Sequence, residues 1–248
     1  MKIVGHRGLP EKYPENTLLS LCRALEKGAD GVECDVQFNR DGQPYLLHDE
    51  NLQRVAGRTE SIGDLSANDL TIVSVHEPQR LGERFNPYPI EALEQIRPLL
   101  AEYPRAIYFV EVKPESLGRV AIADAVAQVC AVFRGHIDQL VMISYSSELL
   151  AYARENEDFR IGWVLDHYND TVCAQAQLLR PDFLICDECL LPDTNLWHGP
   201  WQWFAYDLIS PDRLFELEKL GVEWVESWNV EELLQKLADK KLADETDQ

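Results

Sequence analysis

Seven side chains able to do acid–base, metal or anion chemistry lie within or directly after short apolar runs of this 248-residue sequence. They are two histidines, three carboxylates and two cationic groups: His6, Arg7, Glu33, Asp35, His48, Glu111 and Lys113. Alternate residues of a strand point to the same face, so Glu33 and Asp35 share one face and Glu111 and Lys113 share another. Polar groups that interrupt buried strands are costly unless they are paired or functional. These seven residues are therefore the candidate site.

The three carboxylates would repel one another if their strands brought them together, and burial would add to that cost. Either some of them are protonated or a cation lies among them. Ligands that are all oxygen atoms favour one divalent cation, Mg²⁺ or Ca²⁺, over zinc. His6 and His48 then stay available for proton transfer, and Arg7 and Lys113 can bind an anion. Together these groups predict phosphoryl transfer at a phosphodiester.

The elements that must position these groups follow a repeating pattern. Eight apolar, β-rich runs predict buried parallel strands: Ile3–His6, Gly31–Phe38, Ala106–Val112, Leu140–Ser144, Arg160–Leu165, Asp182–Cys186, Trp201–Tyr206 and Val222–Val225. Apolar faces at helical spacing lie between several of them: Glu15–Glu26, Glu91–Glu102, Gly118–Phe133, Ser147–Arg154 and Pro211–Leu220. Eight βα repeats in about 240 residues predict an α/β fold of TIM type, a (β/α)8 barrel, in preference to a doubly wound sheet.

The interval between the second and third strands, from residue 31 to residue 107, is too long for one repeat. The dipeptide Asp41-Gly42 predicts a tight turn, after which Pro44–Leu47 returns antiparallel to the second strand. The polar stretch Asn51–Pro89 predicts a small insertion on the barrel rim. We therefore expect one catalytic domain over residues 1–240, with the return strand and insertion at 44–90. The polar tail at 241–248, with residues from Asp239 onward, is expected to fray.

The formal net charge of −20 argues against binding to nucleic acid or to an anionic membrane surface. The residues after Lys2 lack the apolar run of about 7–15 residues found in secretory signals, and no run reaches the roughly 18 residues of a membrane span. The six scattered cysteines are interpreted as reduced thiols. We therefore expect a cytoplasmic location and a small-molecule phosphodiester as the partner. The sequence gives no signal for an oligomeric state.

The order and spacing of these motifs resemble the glycerophosphodiester phosphodiesterases, a family of phospholipase C-like phosphodiesterase TIM barrels. The resemblance covers the first 115 residues and rests on these segments: Gly5-His6-Arg7-Gly8, Pro14-Glu15-Asn16-Thr17, Gly31–Val36, Asp41-Gly42, His48-Asp49 and Glu111-Val112-Lys113. It implies hydrolysis of glycerophosphodiesters, such as glycerophosphocholine or glycerophosphoethanolamine, to glycerol 3-phosphate and an alcohol, with a divalent cation.

The resemblance also implies roles for the seven residues. Glu33, Asp35 and Glu111 would be metal ligands. His6 and His48 would be the general acid and base, in an order that the sequence leaves open. Arg7 and Lys113 would contact the phosphate of the substrate.

Two later segments depart from the family pattern. The family's Trp-Thr-Val-Asn is Phe204–Asp207 here, and its terminal Thr-Asp-x-Pro is Glu226–Asn229. Both segments are expected to line the mouth away from the metal and to alter only the preference for the leaving alcohol. Trp197, Trp201 and Trp203 could enclose a choline-like cation, although packing of their loop is the favoured interpretation.

Three other functions are compatible with parts of this pattern. A barrel of the same type could act on a lysophospholipid or on another phosphodiester head group. A non-catalytic barrel could bind phosphorylated ligands, but it would be expected to lack one of the seven groups. The last alternative is a hydrolase with an unrelated substrate, because (β/α)8 barrels host many chemistries.

Overall fold

The computed structural model describes residues 1–208 and 210–246. Its strands, in chain order, are β1 (Lys2–Gly5), β2 (Gly31–Phe38), β3 (Pro44–Leu46), β4 (Ile107–Val112), β5 (Leu140–Ser144), β6 (Arg160–Leu165), β7 (Phe183–Asp187), β8 (Gln202–Tyr206) and β9 (Trp224–Ser227). Its α-helices are α1 (Leu18–Glu26), α2 (Gln53–Ala56), α3 (Ala67–Leu70), α4 (Pro78–Leu81), α5 (Arg97–Glu102), α6 (Ile122–Val132), α7 (Ser147–Asn156), α8 (Asp170–Leu179), α9 (Leu214–Leu220) and α10 (Val230–Thr246).

Within these described residues, eight parallel strands close into a barrel. Each strand from β4 to β8 pairs in parallel with the next. In addition, β4 pairs with β2, and β1 pairs with both β2 and β9. The predicted (β/α)8 fold is therefore confirmed. The closure sets the last strand directly beside the first, with Val4 opposite Glu226 and Gly5 opposite Ser227.

The short strand β3 lies outside the parallel set. It pairs antiparallel with the last three residues of β2, from Val36 to Phe38. The Asp41-Gly42 turn makes this return possible, because Gly42 has a φ of 76°, a conformation that favours glycine. The chain after β3 then runs across the rim through α2, α3 and α4 before it reaches α5.

Two apolar layers hold the barrel together. The larger one lies between the strands and the surrounding helices. The smaller one fills the barrel interior with edge-to-face aromatic contacts of Phe109 to Phe183, Phe204 and Trp224. Because side chains alternate along a strand, the next inward-facing residue after Phe109 is Glu111, and the next after Trp224 is Glu226. The aromatic layer is thus the floor beneath the polar end of the barrel.

Two sequence expectations on helix ends are corrected. Helix α1 begins at Leu18 and not at Glu15, because Thr17 caps it with a hydrogen bond from the Ser20 amide while the preceding residues take part in the site described below. At the other end of the chain, α10 continues to Thr246, so residues 239–246 are helical where fraying was expected, and residues 247–248 of the expected tail lie outside the described residues. No helix among the described residues is long and apolar enough to cross a membrane.

Candidate active site

One cavity of about 80 Å³ lies at the C-terminal ends of the barrel strands. Part of its lining, called the charged side here, consists of His6, Arg7, Glu33, His48, Glu111, Lys113 and Glu226. The rest, called the apolar wall, consists of Ile143, Tyr145, Val164, Ile185 and Tyr206. Asp35 is fully buried behind the charged side, where it pairs with Arg7 and Lys113. The structure thus brings together all seven residues singled out in the sequence.

The loop after β1 requires both of its glycines. A Cβ at Gly5 would collide with the carbonyl oxygen of Gly8, and a Cβ at Gly8 would collide with the backbone of Ser20. Gly8 also has a φ of +90°, which side-chain-bearing residues rarely adopt. The loop therefore packs tightly on the start of α1, and Arg7, itself at a φ of 53°, donates its backbone N–H to Glu33 at 3.0 Å.

The carboxylates Glu33, Asp35 and Glu111 each offer an oxygen atom within 4.8 Å of the other two. Burial, together with the neighbouring Asp35 carboxylate, raises the pKa of Glu33 well above its usual range. Burial also raises the pKa of Glu111, although Lys113 opposes the shift. The pKa of Asp35 is lowered, because Lys113 and Arg7 together outweigh the effect of burial. Without a further positive charge, the cluster favours a protonated Glu33.

The donor set fits one divalent cation that prefers oxygen ligands. Glu33 Oε1 is buried and accepts no hydrogen bond from the described part of the chain, and an unsatisfied buried carboxylate oxygen is costly. A second group, made of His6, Glu33 and Glu226, has the same compactness. That group includes an imidazole nitrogen, which hard divalent cations such as Mg²⁺ and Ca²⁺ favour less than oxygen. The group of three carboxylates offers oxygen ligands alone and is therefore the better candidate metal centre.

Two cations neutralise this cluster from one side. Lys113 Nζ lies 2.9 Å from Glu111 and 3.1 Å from Asp35. The Arg7 guanidinium lies 3.0 Å from Asp35 and 2.9 Å from Glu15. Both cations also line the cavity, so each can bind an anion there while it stays paired with its carboxylates.

The two histidines are held by different partners. His48 Nδ1 lies 2.7 Å from Asp49 Oδ1, and within the described residues its Nε2 has no hydrogen-bond partner. His6 Nδ1 accepts a hydrogen bond from Trp228 Nε1 at 2.9 Å and lies 3.3 Å from Asp207. Burial would lower the pKa of His6, but Glu226 and Asp207 outweigh it, so the pKa is raised. His48 therefore keeps one ring nitrogen for proton transfer, whereas His6 must release one of these partners before it can exchange a proton with a ligand.

Glu15 and Asn16 form a supporting layer behind these groups. Both belong to the Pro14–Thr17 motif, to which the sequence analysis assigned no role. Asn16 donates to Asp35 Oδ2 at 2.8 Å and accepts from the Asp35 amide at 2.9 Å. Glu15 is buried and pairs with Arg7 and with Arg54, which also bonds Asp49. The periodicity that predicted a helix from Glu15 concealed this role. Asparagine tolerates the left-handed conformation that Asn16 adopts at a φ of 52°.

The expectation that residues 226–229 lie away from the metal is wrong. Barrel closure sets β9 beside β1, so Glu226 is buried next to His6 and Glu33, and Trp228 contacts the His6 ring at an interplanar angle of 78°. Asp207, at the end of β8, also reaches His6. Burial raises the pKa of Glu226 to about 7, against the opposing effect of His6. Glu226 is thus the third carboxylate of the charged side, with Glu33 and Glu111, and Asp35 lies buried behind them.

Trp197 and Trp201 before β8, and Trp203 within it, pack against protein. Trp201 and Trp203 are buried, and Trp197 stacks on Tyr168 with ring centroids 3.9 Å apart. Trp203 Nε1 donates to the Trp197 carbonyl at 3.1 Å. None of the three contributes to the cavity lining that the described residues form. The packing interpretation is therefore the one that the structure supports.

Comparison with known proteins places this geometry in a class. Residues 6–166 match the Glycerophosphoryl diester phosphodiesterase family. The chain is a phosphoric diester hydrolase built on a (β/α)8 barrel. It belongs to the glycerophosphoryl diester phosphodiesterase family.

Individual relatives agree with this assignment. The chain is 26% identical over 242 residues to glycerophosphodiester phosphodiesterase 1 of Bos taurus, covering 92% of this chain and 71% of the relative. A phosphodiesterase from Oleispira antarctica, solved in complex with the product sn-glycerol-3-phosphate, superposes with a TM-score of 0.84 and 20% identity over 96% of this chain and 97% of that one. A glycerophosphoryl diester phosphodiesterase structure from Silicibacter pomeroyi gives a TM-score of 0.83 and 18% identity over 97% and 94% of the two chains. At these identities the two structures show the shared fold.

Proposed function

We propose that this protein hydrolyses small glycerophosphodiesters, such as glycerophosphocholine or glycerophosphoethanolamine, to glycerol 3-phosphate and an alcohol, with a divalent cation. The observation that carries the proposal is the charged side itself. Two histidines, two cations and the carboxylates Glu33 and Glu111 line one cavity, and Asp35 completes the three-carboxylate cluster from behind. The product found in the Oleispira antarctica structure and the names of the relatives support glycerol 3-phosphate as the product here.

Glu33, Asp35 and Glu111 are the proposed ligands of one Mg²⁺ or Ca²⁺ ion. Such an ion, when bound, withdraws electron density from a phosphate oxygen and neutralises charge that develops there. It also resolves the electrostatics of the site, because Glu33 and Glu111 would then be ionised despite their burial. Asn16 keeps Asp35 in one orientation through two hydrogen bonds, as groups around metal ligands commonly do.

Arg7 and Lys113 are the proposed phosphate-binding groups. Each is fixed by two carboxylates, so little side-chain freedom is lost when an anion binds. Their positive charge is directed at the negative phosphate oxygens, and such fixed charges stabilise a phosphoryl transition state without reorganising.

His6 and His48 are the proposed proton-transfer groups. One takes a proton from the nucleophile that attacks phosphorus, and the other gives a proton to the departing alcohol oxygen as its bond to phosphorus breaks. The nucleophile is water, or it is the neighbouring glycerol hydroxyl, in which case water then opens the cyclic phosphate that forms. Asp49 orients His48, while Glu226 and Trp228 orient His6. A carboxylate hydrogen-bonded to an imidazole fixes the orientation of the ring and stabilises its charged form.

The test is release of glycerol 3-phosphate from glycerophosphocholine and glycerophosphoethanolamine with Mg²⁺, with Ca²⁺ and with EDTA. We expect release with at least one of the ions and none with EDTA. Lysophosphatidylcholine is assayed in parallel, above and below its micellar concentration. Cleavage of the lysophospholipid alone, or release that persists in EDTA, would contradict the proposal.

A further inference from the structure

The apolar wall carries one polar feature that the proposed chemistry does not use. Tyr145 at the end of β5 and Tyr206 at the end of β8 meet across the barrel mouth, and their hydroxyl oxygens lie 2.6 Å apart. The rest of the wall consists of the aliphatic side chains Ile143, Val164 and Ile185. These two phenols are therefore the hydrogen-bonding groups that this wall presents to the cavity.

The pair is held in place by its surroundings. Both rings pack against the aromatic and aliphatic layer that fills the barrel interior. The carbonyl of Tyr145 also accepts a hydrogen bond from Trp163 Nε1 at 3.3 Å. Burial raises the pKa of both phenols, so both are neutral hydroxyls at physiological pH. A ligand thus meets a preorganised pair of hydroxyl groups.

Two hydroxyls that hydrogen-bond to each other keep a defined set of free hydrogen-bond donors and acceptors. One hydrogen is used in the mutual bond, so the pair still offers one O–H donor and several oxygen lone pairs. A vicinal diol has the matching set, because each of its hydroxyls is both a donor and an acceptor. A trimethylammonium group has no hydrogen to donate and no lone pair to offer. A hydroxyl esterified to a fatty acid has lost the hydrogen that it could donate to the pair.

We propose that the Tyr145–Tyr206 hydroxyl pair is the subsite that binds the vicinal diol of the substrate's glycerol arm. This inference rests on the proposed function, since it assumes that the phosphate lies at the charged side of the same cavity. The leaving alcohol then points away from the wall, towards the opening of the cavity. The pair selects substrates whose glycerol hydroxyls are free and disfavours substrates in which they are acylated.

The experiment compares two product-like ligands that differ only in the diol, glycerol 3-phosphate and n-propyl phosphate, with inorganic phosphate as the reference. Their dissociation constants are measured by calorimetry in saturating Mg²⁺ or Ca²⁺. In the wild type we expect glycerol 3-phosphate to bind roughly 10–100-fold more tightly than propyl phosphate, as two neutral hydrogen bonds would give. In the double variant Tyr145→Phe, Tyr206→Phe the ratio should fall to about 1–3, with propyl phosphate and phosphate affinities retained.

Tyr152→Phe is the matched control, because it removes a phenol hydroxyl from α7 on the outside of the barrel, and it should keep the wild-type ratio. Equal binding of the two ligands by the wild type would overturn the inference, and so would a wild-type ratio that survives in the double variant. Either result would leave the proposed function intact, because phosphate would still bind. If none of the three anions binds, the proposed function fails together with the subsite.

Discussion

The charged side and the apolar wall share one cavity but are built on opposite principles. On the charged side, ion pairs and hydrogen bonds hold the side chains, as in the contacts of Lys113 with Asp35 on β2 and with Glu111 on β4. On the wall, residues from β5 to β8 are positioned by apolar packing. The chemistry of the site therefore depends on charge pairing on the charged side, whereas the shape of the space open to the substrate depends on packing of the apolar wall.

The two parts should therefore respond differently to substitution. Removing one member of a buried charge pair leaves its partner uncompensated, which costs more than the loss of the contact itself. Removing a hydroxyl from the wall while keeping the ring leaves the packing almost unchanged. Substitutions on the charged side are expected to affect turnover and metal binding, and those on the wall to affect the choice of substrate.

The largest effect is expected at the histidines. His48→Ala or His6→Ala should lower kcat about 10²–10⁴-fold, the usual contribution of a general acid or base, with an unchanged circular dichroism spectrum. The measurement is turnover of glycerophosphocholine at saturating metal. His136→Ala, which removes a histidine located before β5 at the other end of the barrel, is the control. Near-normal turnover in both active-site variants would remove these residues from the mechanism.

The next effect in size concerns the metal. Glu33→Gln keeps the shape of the side chain but removes its charge, so it should weaken Mg²⁺ or Ca²⁺ binding roughly 10–100-fold or more. Titration calorimetry of the ion into the protein gives the affinity directly. Glu148→Gln, at an exposed position in the first turn of α7, should have no effect. An affinity that does not change in Glu33→Gln would refute the assignment of this ligand.

A smaller effect is expected from Trp228→Phe. This variant keeps an aromatic ring beside His6 but loses the N–H that donates to His6 Nδ1. The loss of one neutral hydrogen bond corresponds to about a 3–10-fold decrease in kcat, with little change in KM. Trp201→Phe is the matched control, because the Trp201 N–H is buried without an acceptor among the described residues. An equal decrease of kcat in both variants would show that the loss of indole packing, and not the loss of the hydrogen bond to His6, causes the effect.

The smallest effect is a pH dependence of stability. The raised pKa values of Glu33, Glu111, Glu226 and His6 mean that the folded state binds protons more tightly than the unfolded state. Their stabilising contribution is present at low pH and is lost as pH rises, for Glu226 through about pH 7. The Tm of the metal-free protein should therefore fall by roughly 5 °C between pH 5.5 and pH 8.

Saturating Mg²⁺ or Ca²⁺ should reverse this trend, because the ion binds the deprotonated carboxylates. The gain in Tm on adding the ion should thus be larger at pH 8 than at pH 5.5. In Glu226→Gln the slope of the metal-free curve should be shallower than in the wild type. A metal-free Tm that rises over this interval would show that the buried carboxylates do not control stability there.

The sequence allowed much of the charged side to be predicted, because its motifs place rare polar residues at the ends of apolar strands. The barrel strands were predicted for the same reason: buried parallel strands appear as continuous apolar runs. Glu226 and Trp228 could not be placed in this way, since they reach His6 only through closure of the last strand onto the first. Asn16 was hidden inside a helical periodicity.

The apolar wall gave no comparable signal. Tyrosine is common at the ends of strands, and nothing in the sequence relates Tyr145 to Tyr206, which are separated by 61 positions. Their hydroxyls meet because β5 and β8 lie on the same arc of the closed barrel. Pairings of this kind depend on the three-dimensional arrangement of the strands. Specificity is therefore harder to predict from sequence than reaction class.

A crystal structure with Mg²⁺ and glycerol 3-phosphate is the most direct test of the proposed site. We expect the ion on Glu33, Asp35 and Glu111, the phosphate beside Arg7 and Lys113, and the diol at Tyr145 and Tyr206. An ion held by His6, Glu33 and Glu226, or a phosphate bound against the apolar wall, would contradict these assignments.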